Sequence, residues 1–314
     1  MKNSEIILIA PENKGVRLDK FLADFDVSAS RAAWQKRIKN GQVLVNEKVS
    51  FANYSLKEKD EIRIIEENHN KIKQEKNIPD IKILYEDNDI IVIDKPIGVI
   101  AQRTETSDTP AVTDFLENHF PSIKKIGESE QKSGLVHRLD KDTSGIMIAA
   151  KNQETFEFLK AQFKERKVRK IYTALVYGKI KPEEGEINIA IGRNPKLPCK
   201  QTVVRNPEKS TIKAREAKTL YRTVKTNDNY SLLSVELKTG RMHQIRVHMQ
   251  AIGHPIVGDR KYASPGLLKN TKLQRQFLHA SELKINLPGG KEKSFKSELP
   301  EDLKDSLKKL NDLD

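Results

Sequence analysis

The chain of 314 residues contains a single cysteine, Cys199. One cysteine excludes a disulfide within the chain and any metal site built mainly from cysteine ligands. No apolar run approaches the roughly 20 residues that a helix needs to cross a bilayer. The short apolar run at 6–10 lacks the length and the cleavage pattern of a signal peptide. We therefore expect a cytoplasmic protein with no segment that spans a membrane. As separate expectations, no membrane is a partner and the protein is a monomer.

Acidic residues are outnumbered, since 57 Lys and Arg face 44 Asp and Glu, for a net charge of +13. Apolar residues make up 37% of the chain and charged residues 32%, which predicts a lean core under a heavily charged surface. A positive excess of this size favours a polyanionic partner, either nucleic acid or an acidic membrane surface. A lysine-rich proteome would produce the same excess. Charge alone therefore does not show that the protein has a polyanionic partner.

Residues 1–66 predict a small domain of two helices and short strands. Leu18, Phe21 and Leu22 have helical spacing, and Ser30 can cap a second helix that ends before Gly41. The polar positions of the second helix carry four basic residues, Arg31, Lys36, Arg37 and Lys39. A basic helix face on a minimal core can follow RNA phosphates, although an ordinary solvated face has the same composition.

Residues 67–80 are polar with almost no hydrophobics, which predicts a linker to a second domain at 81–314. Short β-type runs in that domain alternate with a few helical patterns, which indicates an α+β fold. The expected strands are 81–85, 90–94, 146–150, 170–178, 230–237 and 278–285. A helical pattern over 242–252 has an expected buried stripe of Met242, Ile245, Met249 and Ile252.

The stretch 134–145 is charged, bounded by glycines and followed at once by an apolar strand. A loop anchored on a sheet in this way can hold reactive side chains still. Asp140 is the candidate nucleophile or base, with His137 and Arg138 as cations beside it. An ion-paired surface turn, in which Thr143 and Ser144 bond local backbone, would explain the same residues.

The stretch 239–248 places several polar side chains at the start of the predicted helix. An arginine of this stretch that lay beside a buried aspartate would keep that carboxylate ionised, although a purely structural salt bridge is an equal alternative. His243 and His248 are five residues apart and do not share a helix face, so we expect no metal site.

Several segments are similar to the signature motifs of RluA-type pseudouridine synthases. The matching residues are His137-Arg138-Leu139-Asp140-x-x-Thr143-Ser144-Gly145, Asp94-Lys95-Pro96-x-Gly98, Lys170-x-Tyr172-x-Ala174-x-Val176-x-Gly178, and Thr239-Gly240-Arg241-x-His243-Gln244-Ile245-Arg246-Val247-His248 followed by 253–259. Residues 17–22, 30–31 and 41–46 resemble the αL RNA-binding motif of a small-subunit ribosomal protein. Glu47 stands where that motif often has glycine, and Ala32 where serine is common.

The resemblance implies an α+β catalytic domain with a mixed, largely antiparallel sheet and a central cleft, preceded by a small α/β RNA-binding domain. It implies isomerisation of uridine to pseudouridine in RNA, without cofactor or metal. Asp140 would begin the reaction at the sugar, Arg246 would hold it, and Tyr172 would stack on the base. Arg138 would fill the space that a flipped nucleotide leaves.

Other expected RNA contacts are His137, Arg241, His243 and the basic face of the second helix. The additional RNA-binding domain favours large-subunit ribosomal RNA over transfer RNA as the target.

Two other functions remain compatible with the residues alone. A non-catalytic RNA-binding or ribosome-assembly factor would need only the basic N-terminal domain. A glycosidase-like hydrolase would need two carboxylates roughly 5–9 Å apart, with Asp142 as the candidate second group. No other carboxylate follows the motif pattern, so the hydrolase is the weaker of the two.

Overall fold

A computed structural model of the protein describes residues 4–26, 29–65, 78, 80–103, 109–128, 132–269 and 271–311. The chain divides into two compact units, Met1–Lys76 and Asn77–Asp314. The division falls within the predicted linker at 67–80, of which only residues 78 and 80 are described. In the described part of the chain, no helix has the length and apolar character needed to span a bilayer.

The first unit packs two helices on a four-stranded antiparallel sheet. Its elements are β1 (Ser4–Leu8), α1 (Leu18–Phe25), α2 (Arg31–Lys39), β2 (Val43–Val45), β3 (Lys48–Val49) and β4 (Glu61–Ile65), and the strand order is β1-β4-β2-β3. The Ser30 hydroxyl accepts a hydrogen bond from the Ala33 N–H at 3.3 Å, which confirms the predicted cap of α2. Trp34 and Ile38 turn the other face of α2 into the core.

The second unit is built on one large sheet. Its elements are β5 (Lys82–Glu86), β6 (Ile90–Lys95), α3 (Val112–His119), β7 (Ser144–Ala150), α4 (Gln153–Lys164), β8 (Arg169–Tyr177), β9 (Glu184–Asn188), β10 (Ala190–Arg193), β11 (Gln201–Val204), β12 (Ala214–Arg215), β13 (Lys218–Thr226), β14 (Tyr230–Leu237), α5 (Gln244–Ala251), α6 (Pro265–Leu268), β15 (Leu278–Asn286), β16 (Glu292–Lys296) and α7 (Glu301–Asn311).

Among the described residues, nine strands form this sheet, in the order β5-β6-β7-β15-β8-β14-β13-β9 with β16 beside β15. Of the described strand pairings in this sheet, only that of β7 with β15 is parallel. The fold is therefore α+β with a mixed, largely antiparallel sheet, as the resemblance implied. Strands β10, β11 and β12 form a separate small sheet.

Strand β7 lies in the middle of the sheet, and every residue along it is buried. At its start, Gly145 has φ +116°, and a Cβ atom there would lie 2.3 Å from the carbonyl oxygen of Ala280 on β15. Only glycine allows the two strands to approach this closely at that point. The loop that precedes β7 is therefore attached to a fully buried strand that packs closely on its neighbour.

Helix α5 begins two residues later than the predicted helix at 242–252. His243 has a left-handed backbone conformation, with φ +56°, which cannot continue a right-handed helix. Met242 consequently lies outside the helix and is 40% exposed, so its predicted place in the buried stripe is wrong. Ile245 and Met249 are buried as expected.

Candidate active site

A buried lysine, Lys95, holds the loop that carries Asp140 through hydrogen bonds to backbone carbonyl oxygens. Lys95 is fully buried, and its ammonium donates hydrogen bonds to the carbonyl oxygens of Pro96, Val99 and Lys141 at 2.7, 2.9 and 3.0 Å. Burial lowers the pKa of Lys95 to about 7, while the charges of Asp142 and Asp140 act in the opposite direction. In its charged form the group has three protons for these three carbonyl oxygens, and this arrangement fixes the backbone directly after Asp140.

Thr143 and Ser144 fasten the other end of the loop. The Thr143 hydroxyl accepts from the Gln276 side chain at 3.1 Å, and the Ser144 hydroxyl accepts from Arg275 at 3.2 Å and lies 2.9 Å from His279 Nδ1. These partners come from a distant part of the chain. The alternative of a surface turn bonded only to local backbone is therefore wrong.

Arg246, in the first turn of α5, connects two carboxylates. Its Nη1 donates to Asp140 Oδ2 at 2.9 Å, while Nε and Nη2 donate to the two oxygens of Asp259 at 2.7 and 2.8 Å. Burial opposes the charge of Arg246, but the hydrogen bond and charge of Asp259, with the charge of Asp140, raise its pKa. Arg246 is thus a permanent cation that holds Asp140 in one orientation.

Asp259 is fully buried and also accepts hydrogen bonds from the backbone N–H groups of Lys261 and Tyr262, at 2.9 and 3.2 Å. Sequence reasoning assigned it no role, although it ends the matched segment 253–259. Its oxygens are occupied by donors from two parts of the chain, so it can orient Arg246 but is not free to act on a substrate.

A cavity of about 490 Å³ opens beside Asp140. Its apolar lining includes Tyr172, Leu237, Ile245 and Leu278, and its polar lining includes Asp140 and Arg246. Tyr172 is 8% exposed, and burial together with the charge of Asp140 raises the pKa of its hydroxyl. The cavity has the size and mixed lining of a small-molecule or nucleotide pocket.

His243 and Tyr262 lie against the Asp140–Arg246 pair. His243 Nε2 is 3.8 Å from Asp140 Oδ2, and its Nδ1 is 2.8 Å from the Tyr262 hydroxyl. The Arg246 guanidinium lies over the Tyr262 ring, 5.2 Å from its centroid. Burial lowers the pKa of His243 to about 4, with Asp140 acting in the opposite direction, so the ring is neutral at pH 7.

The expectation that His137 is a cation beside Asp140 is wrong. Its ring stacks on Phe163 with centroids 4.8 Å apart, and its Nε2 accepts a hydrogen bond from the Ile148 N–H at 3.0 Å. Burial, with a smaller contribution from the charge of Lys170, lowers the pKa of His137 to about 3. A neutral, anchored imidazole lines the cavity wall and supplies no positive charge for RNA.

Arg138 and Arg241 remain available at the cavity. Arg138 is exposed and makes no hydrogen bond or ion pair with any residue the structure describes, and it lines both the main cavity and an adjoining one of about 260 Å³. Arg241 donates through Nε to the carbonyl oxygen of Glu216 at 2.9 Å. The second cavity also receives Arg260 and Lys261, so the cleft around Asp140 is strongly basic.

Only some of the basic side chains on α2 of the first unit are available to contact RNA. Arg31 on α2 donates through Nε and Nη2 to the fully buried Asp19, which also binds Arg17 and Gln35. Arg37 lies over the Trp34 ring at 4.7 Å. Lys36 and Lys39 are exposed, and neither side chain forms a hydrogen bond or ion pair within the described residues. Sequence reasoning missed Asp19, which orders two of the arginines.

No cluster of three or more His, Cys, Asp or Glu residues among the described positions is arranged to hold a metal ion. Asp140, Tyr172 and Arg246, which are widely separated in the sequence, meet at one cavity, while the basic helix belongs to the other unit. Arg246 and Asp259 are 13 residues apart on a helix and in the turn that follows, a pairing that no local periodicity predicts.

Comparison with protein families identifies both units. Residues 89–251 match the family described as RNA pseudouridylate synthase, and residues 16–62 match the S4 domain. The first of these segments contains Asp140, Tyr172 and Arg246.

Relatives of similar length carry the same description. The uncharacterized RNA pseudouridine synthase YlyB of Bacillus subtilis is 34% identical over 305 residues, 97% of each chain. The ribosomal large subunit pseudouridine synthase D of Nitrosomonas europaea is 34% identical over 98% of this chain and 88% of its own length. The solved structure of human RNA Pseudouridylate Synthase Domain Containing 4 superimposes with a TM-score of 0.58 at 27% identity, over 73% of this chain and 92% of the human one.

Proposed function

The chain belongs to the RNA pseudouridylate synthase family, and from that premise we propose that Asp140, Arg246 and Tyr172 carry out the isomerisation of uridines in large-subunit ribosomal RNA. The observation that supports this assignment is the Asp140 carboxylate, which accepts a hydrogen bond from Arg246 and lines a 490 Å³ cavity together with Tyr172. The reaction breaks the bond from C1′ to N1, turns the uracil, and joins C1′ to C5. The C5 proton is lost and N1 gains one, so the change is an isomerisation.

Asp140 acts at the ribose, as a nucleophile on C1′ or as a base, and both roles require the ionised carboxylate. Arg246 maintains that charge and leaves one carboxylate oxygen for the substrate, since its hydrogen bond goes to Oδ2. Tyr172 and the apolar wall bind the uracil ring while it is detached. Arg138, exposed and without a protein partner among the described residues, occupies the stack from which the nucleotide has been flipped.

A hydrolase is less compatible with this site. Asp142, the candidate second carboxylate, lines the adjoining cavity and not the one that holds Tyr172. The other carboxylate bound to Arg246 is Asp259, which is buried and bonded to four donors. A glycosidase needs a second carboxylate that is free to act on water or on the leaving group. Because the chain belongs to a family of enzymes, we also prefer the enzyme to the alternative of a non-catalytic RNA-binding factor.

The test of the site compares Asp140→Asn with Asp142→Asn. Asp142 is exposed in the same loop and forms no hydrogen bond or ion pair with the described residues. We expect Asp140→Asn to bind RNA normally and to form no pseudouridine, whereas Asp142→Asn should retain activity. Pseudouridine formation by Asp140→Asn at the wild-type rate would refute the mechanism. Loss of activity in both variants, with free uracil released by the wild type, would support the two-carboxylate hydrolase.

The proposed target is large-subunit ribosomal RNA, because a separate RNA-binding unit suits a large folded RNA and a relative is named for that subunit. Pseudouridine mapping in cells with and without the gene is the direct test. Sites that disappear from large-subunit ribosomal RNA support the proposal, and sites that disappear only from transfer RNA contradict it. We also propose that the enzyme works in the cytoplasm. We propose that it acts as a monomer, because Asp140, Arg246 and Tyr172 of a single chain already meet at one cavity.

We propose that residues 1–66 are a tethered RNA-binding module, joined to the catalytic domain at 81–314 through the segment 67–80. Deleting residues 1–66 should weaken RNA binding and leave turnover of a short stem-loop at saturating RNA. Replacing Lys36 and Lys39 with Gln should lower the salt dependence of binding by about one log–log unit per lost phosphate contact. The control, Lys48→Gln with Lys57→Gln, removes the same charge outside α2. If both double variants have the same slope of log affinity against log salt concentration, the basic face of α2 is only solvated and does not contact RNA phosphates.

A further inference from the structure

We propose that His243 is a positioning residue that donates a hydrogen from Nε2 towards Asp140, held in that state by Tyr262 and the backbone N–H of Gln201. The inference rests on the proposed role of Asp140 and adds a second donor to the one supplied by Arg246. It replaces the RNA contact that the sequence predicted for His243.

The backbone of His243 has an energetically unfavourable conformation. A left-handed conformation in a non-glycine residue is uncommon, and it puts the imidazole back over the loop that carries Asp140. The side chain is 8% exposed, and its ring meets the Tyr262 ring edge-on, with centroids 5.6 Å apart. Strained backbone that is held by surrounding structure is concentrated at functional sites. A residue buried in this way is poorly placed to contact the RNA backbone.

The hydrogen-bond chain fixes which ring nitrogen carries the proton. The Gln201 N–H donates to the Tyr262 hydroxyl oxygen at 2.8 Å, so the oxygen already acts as an acceptor. Its own proton has one partner among the described residues, His243 Nδ1 at 2.8 Å. Burial raises the pKa of Tyr262 to about 12, so this proton is present at pH 7. With Nδ1 accepting, the proton of the neutral ring is on Nε2.

That assignment makes the contact with Asp140 favourable. Nε2 lies 3.8 Å from Asp140 Oδ2, the oxygen that accepts the hydrogen bond from Arg246 Nη1. At that separation the N–H dipole attracts the carboxylate without a formed hydrogen bond, whereas the opposite tautomer would direct a lone pair at it. Arg246 and the His243 N–H both lie on the Oδ2 side, so Oδ1, which has no hydrogen-bond partner within the described residues, is the oxygen for the substrate. Because His243 is neutral, it orients the carboxylate without neutralising its charge.

Two substitutions test the roles of the two ring nitrogens separately. His243→Gln carries an amide that reaches the position of Nε2 and can donate towards Asp140. His243→Asn is shorter, retains an acceptor for Tyr262 and does not reach Asp140, and asparagine tolerates a positive φ well. The two amides therefore differ mainly in whether they can donate towards Asp140. His243→Asn, the variant expected to be slow, is also the one that suits the left-handed backbone, so a slow rate would not be explained by misfolding.

The measurement is the single-turnover rate of pseudouridine formation at saturating RNA, together with the RNA dissociation constant. We expect His243→Asn to lower the rate about 10- to 100-fold, the range for a hydrogen bond to a charged group. His243→Gln should recover most of that loss, and RNA affinity should be unchanged in both variants. Equal rates in wild type and His243→Asn would overturn the proposal, as would a loss of affinity without a change in rate.

A second readout does not depend on turnover. In protein with isotope-labelled histidine, NMR reports which ring nitrogen is protonated, and the His243 signals are those lost in His243→Gln. We expect the proton on Nε2 in the wild type and a mixture of tautomers in Tyr262→Phe. A proton on Nδ1 in the wild type would refute the relay. If Asp140→Asn retained wild-type activity, the proposed function would fail, whereas the tautomer result would be unaffected.

Discussion

Replacing Asp259 with Asn should destabilise the second unit strongly, because all four partners of this buried carboxylate are donors. They are Arg246 Nε and Nη2 and the backbone N–H groups of Lys261 and Tyr262, at 2.7 to 3.2 Å. Whichever way the new amide turns, its NH₂ group faces at least one of these donors. The Arg246 charge would remain buried with Asp140 as its remaining ion-pair partner.

The size of the effect follows from burial. Asp259 is 0% exposed and Arg246 is 5% exposed, so solvent cannot replace the lost partner. Breaking one side of a buried ion pair costs about 3–5 kcal/mol. For a domain of this size each kcal/mol lowers the melting temperature by roughly 2–4 °C, which gives a total of about 6–20 °C.

The assay is thermal unfolding of the wild type, of Asp259→Asn and of a control, Asp228→Asn. Asp228 is exposed before β14 and its side chain has no hydrogen bond or ion pair within the described residues, so its variant should change stability by no more than about 0.5 kcal/mol. Single-turnover kinetics below the melting transition should show Asp259→Asn slowed about 10- to 150-fold, because Arg246 no longer holds Asp140 in one orientation. A melting temperature within about 2 °C of the wild type would mean that the pair is not desolvated, and the reasoning would fail.

Two further changes test the binding surface and the strand contact. Tyr172→Phe should bind substrate RNA almost as tightly as the wild type, whereas Tyr172→Ala should bind about 5- to 150-fold more weakly, the range for one base-stacking contact; equal affinities would place Tyr172 in the core alone. Gly145→Ala should fail to fold or melt far below the wild type, because its Cβ would lie 2.3 Å from the Ala280 oxygen. Gly266→Ala, with nothing within 4 Å of its Cβ, is the control, and similar melting of both would contradict this account.

Features that depend on near neighbours in the chain were predictable from the sequence. The caps of α2 and α4 follow from Ser30 and Asn152, whose side chains accept from N–H groups three residues later. The turn between β2 and β3 at Asn46 and Glu47 has both residues at positive φ. In each case the donor and acceptor lie within a few residues of each other, so local order alone brings them together.

The resemblance to a family added what periodicity could not, namely the reaction and the three side chains now found at one cavity. Asp140 and Arg246 are 106 residues apart, and nothing in the spacing of either motif predicts their 2.9 Å hydrogen bond. The parallel pairing of β7 with β15 is likewise a contact between distant segments. It determines that Gly145 must be glycine.

The charge states at the site were determined by the tertiary structure alone. A histidine beside Arg138 in the sequence was expected to be a cation, yet burial against Phe163 lowers the pKa of His137 to about 3. His243 is neutral for the same reason, and the tautomer we infer for it depends on Tyr262 and Gln201, each many residues away. The sequence determines which groups can ionise, whereas desolvation and the partners brought by folding determine which of them do.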